Sequence, residues 1–293
     1  MKTKKNILIL GGSGFIGKNL VESFDQKYNI FCPTHKELDL LDEKSVSEYF
    51  SSHKADVIIN CVVKGGSRKE EYEREDLNHN LRIFFNIVNN KKYYRRLIHL
   101  GSGAEYDKSR PLKKIREEDF DQRIPQDNYG LFKYACSKYI ENSEDIVCLR
   151  IFGLFGKYED HRYRFISNAI CRNIFGFPIV LKQNVYFDYV YIDDFIKIID
   201  YFINNRSKYK FYNIGTGKKV DILSIARSIN EISNHKSKII VAKKKLNNEY
   251  TCNNKRLTNE LPISFKFSDI RESIRNLHAW YLSNKKIINK NLL

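Results

Sequence analysis

The amino-acid sequence predicts an α/β protein of the Rossmann type, with a doubly wound parallel sheet and a smaller C-terminal lobe. Short apolar strands alternate with amphipathic helices along the chain, a pattern typical of a parallel sheet covered by helices on both faces. A glycine-rich turn follows the first strand, and the last third is rich in Lys and Asn and poorer in strands. With 293 residues and 42% hydrophobic content, the chain is long enough to bury a sizeable core.

The expected strands are apolar runs, and the expected helices repeat apolar residues every three or four positions. We expect strands at residues 6–10, 28–32, 56–63, 96–100, 146–152 and 189–192. We expect helices at residues 15 to about 28, 77–90, 129–142 and 222–232.

Cysteine usage and hydropathy bound the class of protein. The cysteines form no Cys-x-x-Cys pair and lie mostly in apolar runs, so we expect reduced core residues of a cytoplasmic protein, without disulfides or a metal site. These cysteines are Cys32, Cys61, Cys136, Cys148, Cys171 and Cys252. The four apolar residues 7–10 are too few for a signal peptide, and no run approaches membrane-spanning length. We therefore expect a soluble protein with no membrane partner.

The formal net charge of +16 raises nucleic acid as a possible partner. The lysines are spread along the whole chain, however, and no compact nucleic-acid-binding motif accompanies them. We therefore expect a solvated basic surface that attracts anionic nucleotide ligands, and no nucleic-acid partner.

The glycine-rich turn at residues 11–17 predicts a dinucleotide site. Gly11, Gly14 and Gly17 allow a tight turn, close approach of the backbone to a pyrophosphate, and close helix–strand packing. The helix that begins with Phe15 and Ile16 directs free N–H groups and its positive dipole end at the phosphates. The turn follows a strand and opens an amphipathic helix, which is the context that this motif requires.

The end of the second strand bears on which dinucleotide binds. An NAD site has a carboxylate about twenty residues after the glycines, where it holds the ribose 2′-hydroxyl. Here His35 and Lys36 occupy that region, and the first carboxylate is Glu37. The two basic side chains favour a 2′-phosphate and therefore NADP(H). NAD(H) is the alternative, in which Glu37 turns back to the ribose.

Ser102, Tyr129 and Lys133 predict proton transfer coupled to hydride transfer. Tyr129 and Lys133 are four residues apart and share one helix face, where the ammonium stabilises the phenolate. The phenol is then a usable general acid for a developing alkoxide. Ser102 ends its strand at the sheet edge where open α/β sheets bind ligands, so its hydroxyl is placed to contact the same oxygen.

With these motifs, the chain resembles the extended short-chain dehydrogenase/reductases of the NAD-dependent epimerase/dehydratase family, in their nucleotide-sugar branch. Residues 149–156 resemble the family's Leu-Arg-x-x-x-x-Tyr-Gly strand, and residues 188–194 its Asp-Phe-Val-x-Val-Asp-Asp segment. Residues 212–217 resemble its Tyr-Asn-x-Gly-x-Gly turn. Residues 37–42 and 61–66 are most similar to the GDP-fucose synthase-like 4-keto-sugar reductases.

The resemblance implies a catalytic triad of Ser102, Tyr129 and Lys133, with Tyr129 and Lys133 also contacting the coenzyme. It further implies that Asp39 and Leu40 contact adenine; the alternative for Asp39 is a helix cap before Glu43. A nucleotide-diphosphate 4-keto sugar would be the substrate, and a homodimer the assembly.

The same resemblance divides the chain into two domains. Residues 1–160 and 186–215 would form the dinucleotide-binding domain, and residues 161–185 and 216–293 the nucleotide-sugar-binding lobe. In that lobe Arg172 matches a basic family position that faces the substrate pyrophosphate, and Lys182 adds a second cation suited to a pyrophosphate.

Departures from the family pattern narrow the expected reaction. GDP-fucose synthases have a Cys two residues after the catalytic Ser and a later His, which together move protons at C3 and C5. This chain has Ala104 at the first position and Arg164 near the second, with His161 close by. Phe187 and Gly153 also replace the usual Arg and Asn. We expect Ala104 and Arg164 to lie at the sugar but epimerisation to be lost, and the absence of Asp-Glu after Ser102 argues against a dehydratase.

The sequence thus predicts NADPH-dependent reduction of the C4 ketone of a nucleotide-linked, GDP-favoured 4-keto-6-deoxy sugar, without 3,5-epimerisation, for surface-polysaccharide synthesis. The first alternative is a nucleotide-sugar 4-epimerase, which needs only the triad and a small residue at position 104. The others are a bifunctional epimerase/reductase and a non-catalytic dinucleotide-binding scaffold.

Overall fold

The computed structural model describes residues 4–65 and 73–293. Its contacts divide the chain into two compact units. The first unit comprises Met1–Asp107, Glu117–Ile151 and Ile198–Tyr212, and the second comprises Lys108–Arg116, Phe152–Lys197 and Asn213–Leu293. This division assigns residues 108–116, 152–160, 186–197 and 213–215 to the second unit, whereas the sequence-based division places them in the dinucleotide-binding domain. Which ligand each unit binds stays a prediction.

The strands are β1 (Asn6–Leu10), β2 (Asn29–Phe31), β3 (Ala55–Asn60), β4 (Tyr94–Ser102), β5 (Leu112–Ile115), β6 (Ile146–Ile151), β7 (Leu154–Phe155), β8 (Ile179–Gln183), β9 (Tyr186–Phe187), β10 (Val190–Tyr191), β11 (Phe211–Ile214), β12 (Val220–Asp221), β13 (Ile239–Lys243) and β14 (Tyr250–Cys252). The α-helices are α1 (Phe15–Phe24), α2 (Glu43–Ser52), α3 (Arg74–Asn89), α4 (Asn128–Glu141), α5 (Phe165–Ile174), α6 (Ile192–Asn204), α7 (Ile222–Ile232), α8 (Lys255–Glu260) and α9 (Ile270–Ser283).

A six-stranded sheet in the order β11-β6-β4-β3-β1-β2 confirms the predicted fold class. The pairings of β2 with β1, β1 with β3, β3 with β4 and β4 with β6 are all parallel. Ile9, Ile59, Ile98 and Val147 are aligned side by side across four strands and are buried. Such strands are apolar along their whole length because helices cover both faces of the sheet. This is why they read as continuous apolar runs in the sequence.

The helices pack on the sheet through apolar residues repeated at helical spacing. On α4, Phe132, Cys136 and Ile140 recur every fourth position and join the same core cluster as Ile83 and Ile87 of α3. A separate core in the second unit is built mainly from α5, α7 and α9. The predicted helix at residues 222–232 coincides with α7.

Most elements differ from their predicted bounds by one to four residues, and two of these differences have a local explanation. The first helix ends at Phe24 and not near Tyr28, because the amides of Lys27 and Tyr28 both donate to the Phe24 carbonyl and form a turn. The ring of Tyr28 then packs edge-on against Phe24, at 5.3 Å between centroids. The predicted strand at residues 189–192 is shortened to β10, because α6 begins at Ile192.

The composition-based expectations concern cysteines, metals and membranes. All six cysteines are free thiols. Among residues 4–65 and 73–293, no group of three His, Cys, Asp or Glu side chains is arranged to hold a metal ion. Over the same ranges, every helix is too short or too polar to span a bilayer.

Candidate active site

The glycine-rich turn has the geometry of a phosphate-binding loop. Gly11 adopts a φ of +81°, and the amide of Gly14 donates to the Gly11 carbonyl at 3.1 Å. A Cβ at Gly17 would lie 2.2 Å from that carbonyl oxygen, so helix α1 approaches the turn as closely as a glycine permits. Helix α1 has no side-chain cap at its N-terminus and no acidic residue in its first turn. Its free N–H groups therefore suit the pyrophosphate of a dinucleotide.

Two glycines of this turn make a matched pair for mutagenesis. Ala at position 17 would clash with backbone atoms of Gly11 and Gly12, whereas Ala at position 14 would meet nothing closer than 3.4 Å, at an ordinary φ of −77°. We expect Gly17→Ala to lower the free energy of unfolding by about 1–3 kcal/mol, the usual cost of overpacking, and Gly14→Ala to leave it nearly unchanged. Denaturant unfolding of both variants measures this difference. Equal stabilities would contradict the close approach of α1 to the turn.

At the end of β2, the side chains of His35 and Lys36 are exposed, as a role in binding a 2′-phosphate requires. The carboxylate of Glu37 is turned toward Thr34 and accepts from its amide at 2.8 Å and its hydroxyl at 2.9 Å. These two bonds hold the pKa of Glu37 below its usual value. In this structure Glu37 therefore stabilises its own turn.

The structure also locates the two residues expected at adenine. Asp39 is exposed, and its carboxylate accepts from the amide of Leu41 at 2.9 Å. The helix cap that was the other interpretation of Asp39 is supplied by Asp42, which accepts from the amide of Lys44 at the start of α2. Leu40 is buried, and its carbonyl accepts from Asn86 of α3. The contact of Asp39 and Leu40 with adenine stays a prediction.

Ser102 is the last residue of β4 and caps a short 3-10 turn formed by Gly103–Tyr106. Its hydroxyl oxygen accepts from the amide of Ala104 at 3.2 Å, which fixes the side chain at the carboxyl end of the sheet. Because β1 and β4 belong to one parallel sheet, Ser102 and the glycine-rich turn lie at the same edge. This is the edge where open α/β sheets bind ligands.

Tyr129 and Lys133 lie near the beginning of α4, with the ammonium 6.0 Å from the centroid of the phenol ring. Lys133 is buried, and its Nζ donates to the carbonyl of Leu100 at 2.6 Å. Leu100 is two residues before Ser102 on β4. The lysine therefore links the helix that carries Tyr129 to the strand that carries Ser102.

A glycine allows this helix to approach the turn after Ser102. A Cβ at Gly130 would lie 2.9 Å from the carbonyl oxygen of Ala104 and 2.7 Å from Pro125. The backbone next to Tyr129 is thus in close contact with the segment that follows Ser102. The three predicted catalytic residues are brought together in the first unit; their catalytic roles stay a prediction.

The four predicted substrate residues belong to different elements of the two units. Ala104 is buried in the turn after Ser102. Arg164 is exposed at the N-terminus of α5, and Arg172 lies in its last turn, about 12 Å further along the helix axis. The Nε of Arg172 donates to the carbonyl of Pro178. Lys182 is exposed on β8. Contact of these residues with substrate stays a prediction.

The departures from the family pattern have local causes in the second unit. A Cβ at Gly153 would lie 2.6 Å from the carbonyl oxygen of Asp188, which leaves no room for the usual Asn. Phe187 packs against the rings of Tyr189 and Tyr250. The ring of His161 lies 6.1 Å from that of Tyr281, and burial lowers the pKa of this histidine.

Two charged residues near the triad were not predicted as site residues. Glu105 and Arg150 form an ion pair with 2.7 Å between Oε2 and Nε, and their side chains are 0% and 1% exposed. Ser137 of α4 also donates to this carboxylate. The sequence signal was a lone Glu and a lone Arg beside buried strands, since charged residues are almost never fully buried unless paired.

The parallel sheet and the glycine-rich turn are typical of the Rossmann-type enzymes that bind NAD(P). A profile of the NAD-dependent epimerase/dehydratase family matches residues 7–215, and the chain belongs to this family. The predicted family is thereby confirmed, and its members are nucleotide-sugar epimerases and reductases.

Individual relatives were found by sequence and by structure. The GDP-L-colitose synthase of Yersinia pseudotuberculosis is 26% identical over 95% of this chain and 98% of that protein. The GDP-mannoheptose C4 reductase of Campylobacter jejuni, solved with NADP bound, has a TM-score of 0.79 at 20% identity, covering 96% of this chain and 99% of that one. The UDP-glucose 4-epimerase of Thermotoga maritima has a TM-score of 0.81 at 18% identity, with the same coverage. These structural likenesses establish the fold.

Proposed function

We propose that the protein reduces the C4 ketone of a GDP-linked 4-keto-6-deoxy sugar with NADPH, and that it does not epimerise C3 or C5. The observation that carries the proposal is the grouping of Ser102, Tyr129 and Lys133 at the sheet edge that also holds the glycine-rich turn. This arrangement suits proton delivery to a carbonyl oxygen. The C4 reductase and the GDP-sugar synthase among the similar proteins support this reaction class.

The chemistry follows from what each side chain donates. When bound, NADPH supplies a hydride to the carbonyl carbon. Tyr129 gives its phenolic proton to the carbonyl oxygen, so that ketone, hydride and proton become a secondary alcohol. Ser102 donates a hydrogen bond to the same oxygen and stabilises its developing negative charge. Lys133 places its ammonium 6.0 Å from the centroid of the phenol ring and would hold the nicotinamide ribose.

The NADPH preference rests on the turn after β2. His35 and Lys36 are exposed there, and the nearest carboxylate, Glu37, is held by Thr34. A 2′-phosphate would meet two basic side chains, whereas the carboxylate nearest in sequence, which a 2′-hydroxyl needs, is already engaged by Thr34.

One panel of ketones tests the function and the coenzyme together. We expect NADPH oxidation with a GDP-linked 4-keto-6-deoxy sugar, slower reaction with dTDP- or CDP-linked analogues, and none with a simple ketone. The nucleotide is needed because remote binding energy orients the carbonyl for hydride transfer. Each ketone is assayed with NADPH and with NADH by the loss of nicotinamide absorbance. Faster turnover of a dTDP- or CDP-linked sugar, or with NADH, would overturn that part of the proposal.

The absence of epimerisation rests on position 104. Ala104 has no acid or base, and the neighbouring carboxylate of Glu105 is fully buried in an ion pair with Arg150. We expect no deuterium at C3 or C5 when a 4-keto substrate is incubated in deuterated water without NADPH, as read by mass spectrometry against an enzyme-free control. Enzyme-dependent incorporation would contradict the reductase-only reading. If that incorporation disappeared in His161→Asn, the imidazole would be the base.

A 4-epimerase is the second candidate, favoured by the small residue at position 104 and the likeness to a UDP-glucose 4-epimerase. Such an enzyme keeps its coenzyme bound and interconverts two alcohols. Coenzyme that remains after purification, together with alcohol interconversion without net NADPH consumption, would select this function.

A further inference from the structure

The carboxylate of Glu105 accepts hydrogen bonds from three separate segments of the first unit. Its Oε1 accepts from the backbone amide of Ser102 at 2.8 Å. Its Oε2 accepts from the hydroxyl of Ser137 at 2.5 Å and from Nε of Arg150 at 2.7 Å. These donors lie on β4, α4 and β6. One buried charge therefore joins the strand of the serine to the helix of the tyrosine and lysine.

The surroundings are shaped to hold this carboxylate. A Cβ at Gly101 would lie 2.5 Å from Oε1 of Glu105, so the residue before Ser102 leaves the room that the carboxylate occupies. Ser137 is one helical turn after Lys133 on α4 and is fully buried. The bond to Ser137 therefore acts on the same helix face that carries Lys133.

Arg150, the ion-pair partner of Glu105, has several contacts of its own. The guanidinium of Arg150 lies against the rings of Phe120 and Phe211, at 4.1 and 4.3 Å from their centroids. Its Nη1 donates to the hydroxyl of Tyr106 at 2.9 Å. Burial disfavours the charge, but the attraction of Glu105 and Tyr106 outweighs it and holds the pKa of Arg150 above its usual value. Arg150 is thus a fixed cation behind the carboxylate.

We propose that Glu105 is a positioning residue that sets the distance and orientation of the Ser102 hydroxyl relative to Tyr129 and Lys133. This inference rests on the proposed function, because it assigns a consequence for turnover to a residue that does not touch the substrate. The Glu105 carboxylate fixes the backbone of Ser102 by accepting from its amide. The hydroxyl of Ser102 is fixed separately, because it accepts from the amide of Ala104. Misplacement of a catalytic group by about 1 Å lowers rates by as much as 10²-fold.

Glu105→Gln is the informative variant, because an amide keeps the shape but has one acceptor oxygen where the carboxylate has two. It must lose either the Ser102 amide or the donors Ser137 and Arg150. We expect kcat to fall roughly ten- to hundredfold, with KM for the nucleotide sugar and Kd for NADPH within about threefold. If kcat were unchanged and the whole loss of kcat/KM came from a higher KM for the nucleotide sugar or a higher Kd for NADPH, positioning would be contradicted.

A smaller change and its matched control separate positioning from stability. Ser137→Ala removes one donor to Glu105, and we expect kcat to fall several-fold. Ser167→Ala removes the same kind of bond in the second unit, where Ser167 donates to buried Glu159 at 2.7 Å. We expect Ser167→Ala to lower the melting temperature similarly and to leave kcat unchanged. If both variants lose only melting temperature, Glu105 is structural and the proposal is wrong.

A thermodynamic cycle shows whether Glu105 acts through Ser102. In a Ser102→Ala background, we expect adding Glu105→Gln to change kcat by less than about twofold, because the group that it positions is already gone. Full additivity of the two losses would overturn the proposal.

Hydrogen exchange gives a readout that needs no substrate. In Glu105→Gln and Ser137→Ala we expect faster amide exchange at residues 100–106, and unchanged exchange in α7. An inactive wild type with this exchange pattern would refute the proposed function and leave the Glu105 contact in place. Unchanged exchange at residues 100–106 would refute the positioning role whatever the activity.

Discussion

Replacing Tyr129 with Phe is expected to lower turnover by roughly 10²-fold or more, the usual scale for a lost general acid. Only the phenolic oxygen is removed, and the ring that lies 6.0 Å from Nζ of Lys133 is retained. NADPH affinity should change little, because the glycine-rich turn and Lys133 are untouched. Steady-state kinetics with the best ketone of the panel, together with NADPH titration by fluorescence, measures both quantities.

Tyr139→Phe is the matched control for this variant. Tyr139 lies ten residues later on the same helix, with 38% of its surface exposed, and packs against Phe84 and Phe85. It should keep wild-type turnover. If Tyr129→Phe were as active as Tyr139→Phe, Tyr129 would have no part in the proton transfer.

Replacing Arg150 with Met is expected to lower the free energy of unfolding by about 3–5 kcal/mol, the cost of leaving a buried charge without its partner. Glu105 is 0% exposed, so water cannot solvate the carboxylate once the guanidinium is removed. The cation–π contacts of Arg150 with Phe120 and Phe211 are lost as well. Urea or guanidinium unfolding of the purified variant measures the change.

The double variant Glu105→Leu/Arg150→Met identifies the cause of that loss. With both charges gone, no buried ion remains unpaired, and we expect part of the stability to return. If the double variant were instead less stable than Arg150→Met, with the losses in free energy of unfolding from the two substitutions adding up, the unpaired carboxylate would not be the cause of the loss in the single variant.

Much of the central sheet could be predicted from the sequence because its strands are buried on both faces. The strand predicted at residues 96–100, around Leu97, Ile98 and Leu100, is the middle of β4, which extends over Tyr94–Ser102. Because this predicted strand ends just before Ser102, the sequence also predicted that Ser102 lies at a strand end. In the second unit the strands β7, β9, β10 and β12 have two residues each. A strand of two residues is too short to show an alternation of apolar and polar residues. The sequence therefore predicted only a lobe poor in strands.

The partners of the site residues could not be predicted, since they depend on which strands are neighbours. Glu105 and Arg150 are 45 residues apart, and they meet because β4 pairs with β6. Lys133 was expected beside Tyr129 from helical spacing alone. Its bond to the Leu100 carbonyl depends on how α4 packs on the sheet. The family pattern predicted a role for Ala104 and none for Glu105, the buried carboxylate next to it.

The discontinuous make-up of the first unit has a consequence for its synthesis on the ribosome. Its last segment, Ile198–Tyr212, follows the other two by more than forty residues that belong to the second unit. A nascent chain that has reached only Ile151 lacks β11, the strand beside β6, so that edge of the sheet stays unpaired. The unit that carries the triad therefore completes its sheet only after much of the other unit has been made. Neither unit can be obtained whole by cutting the chain once.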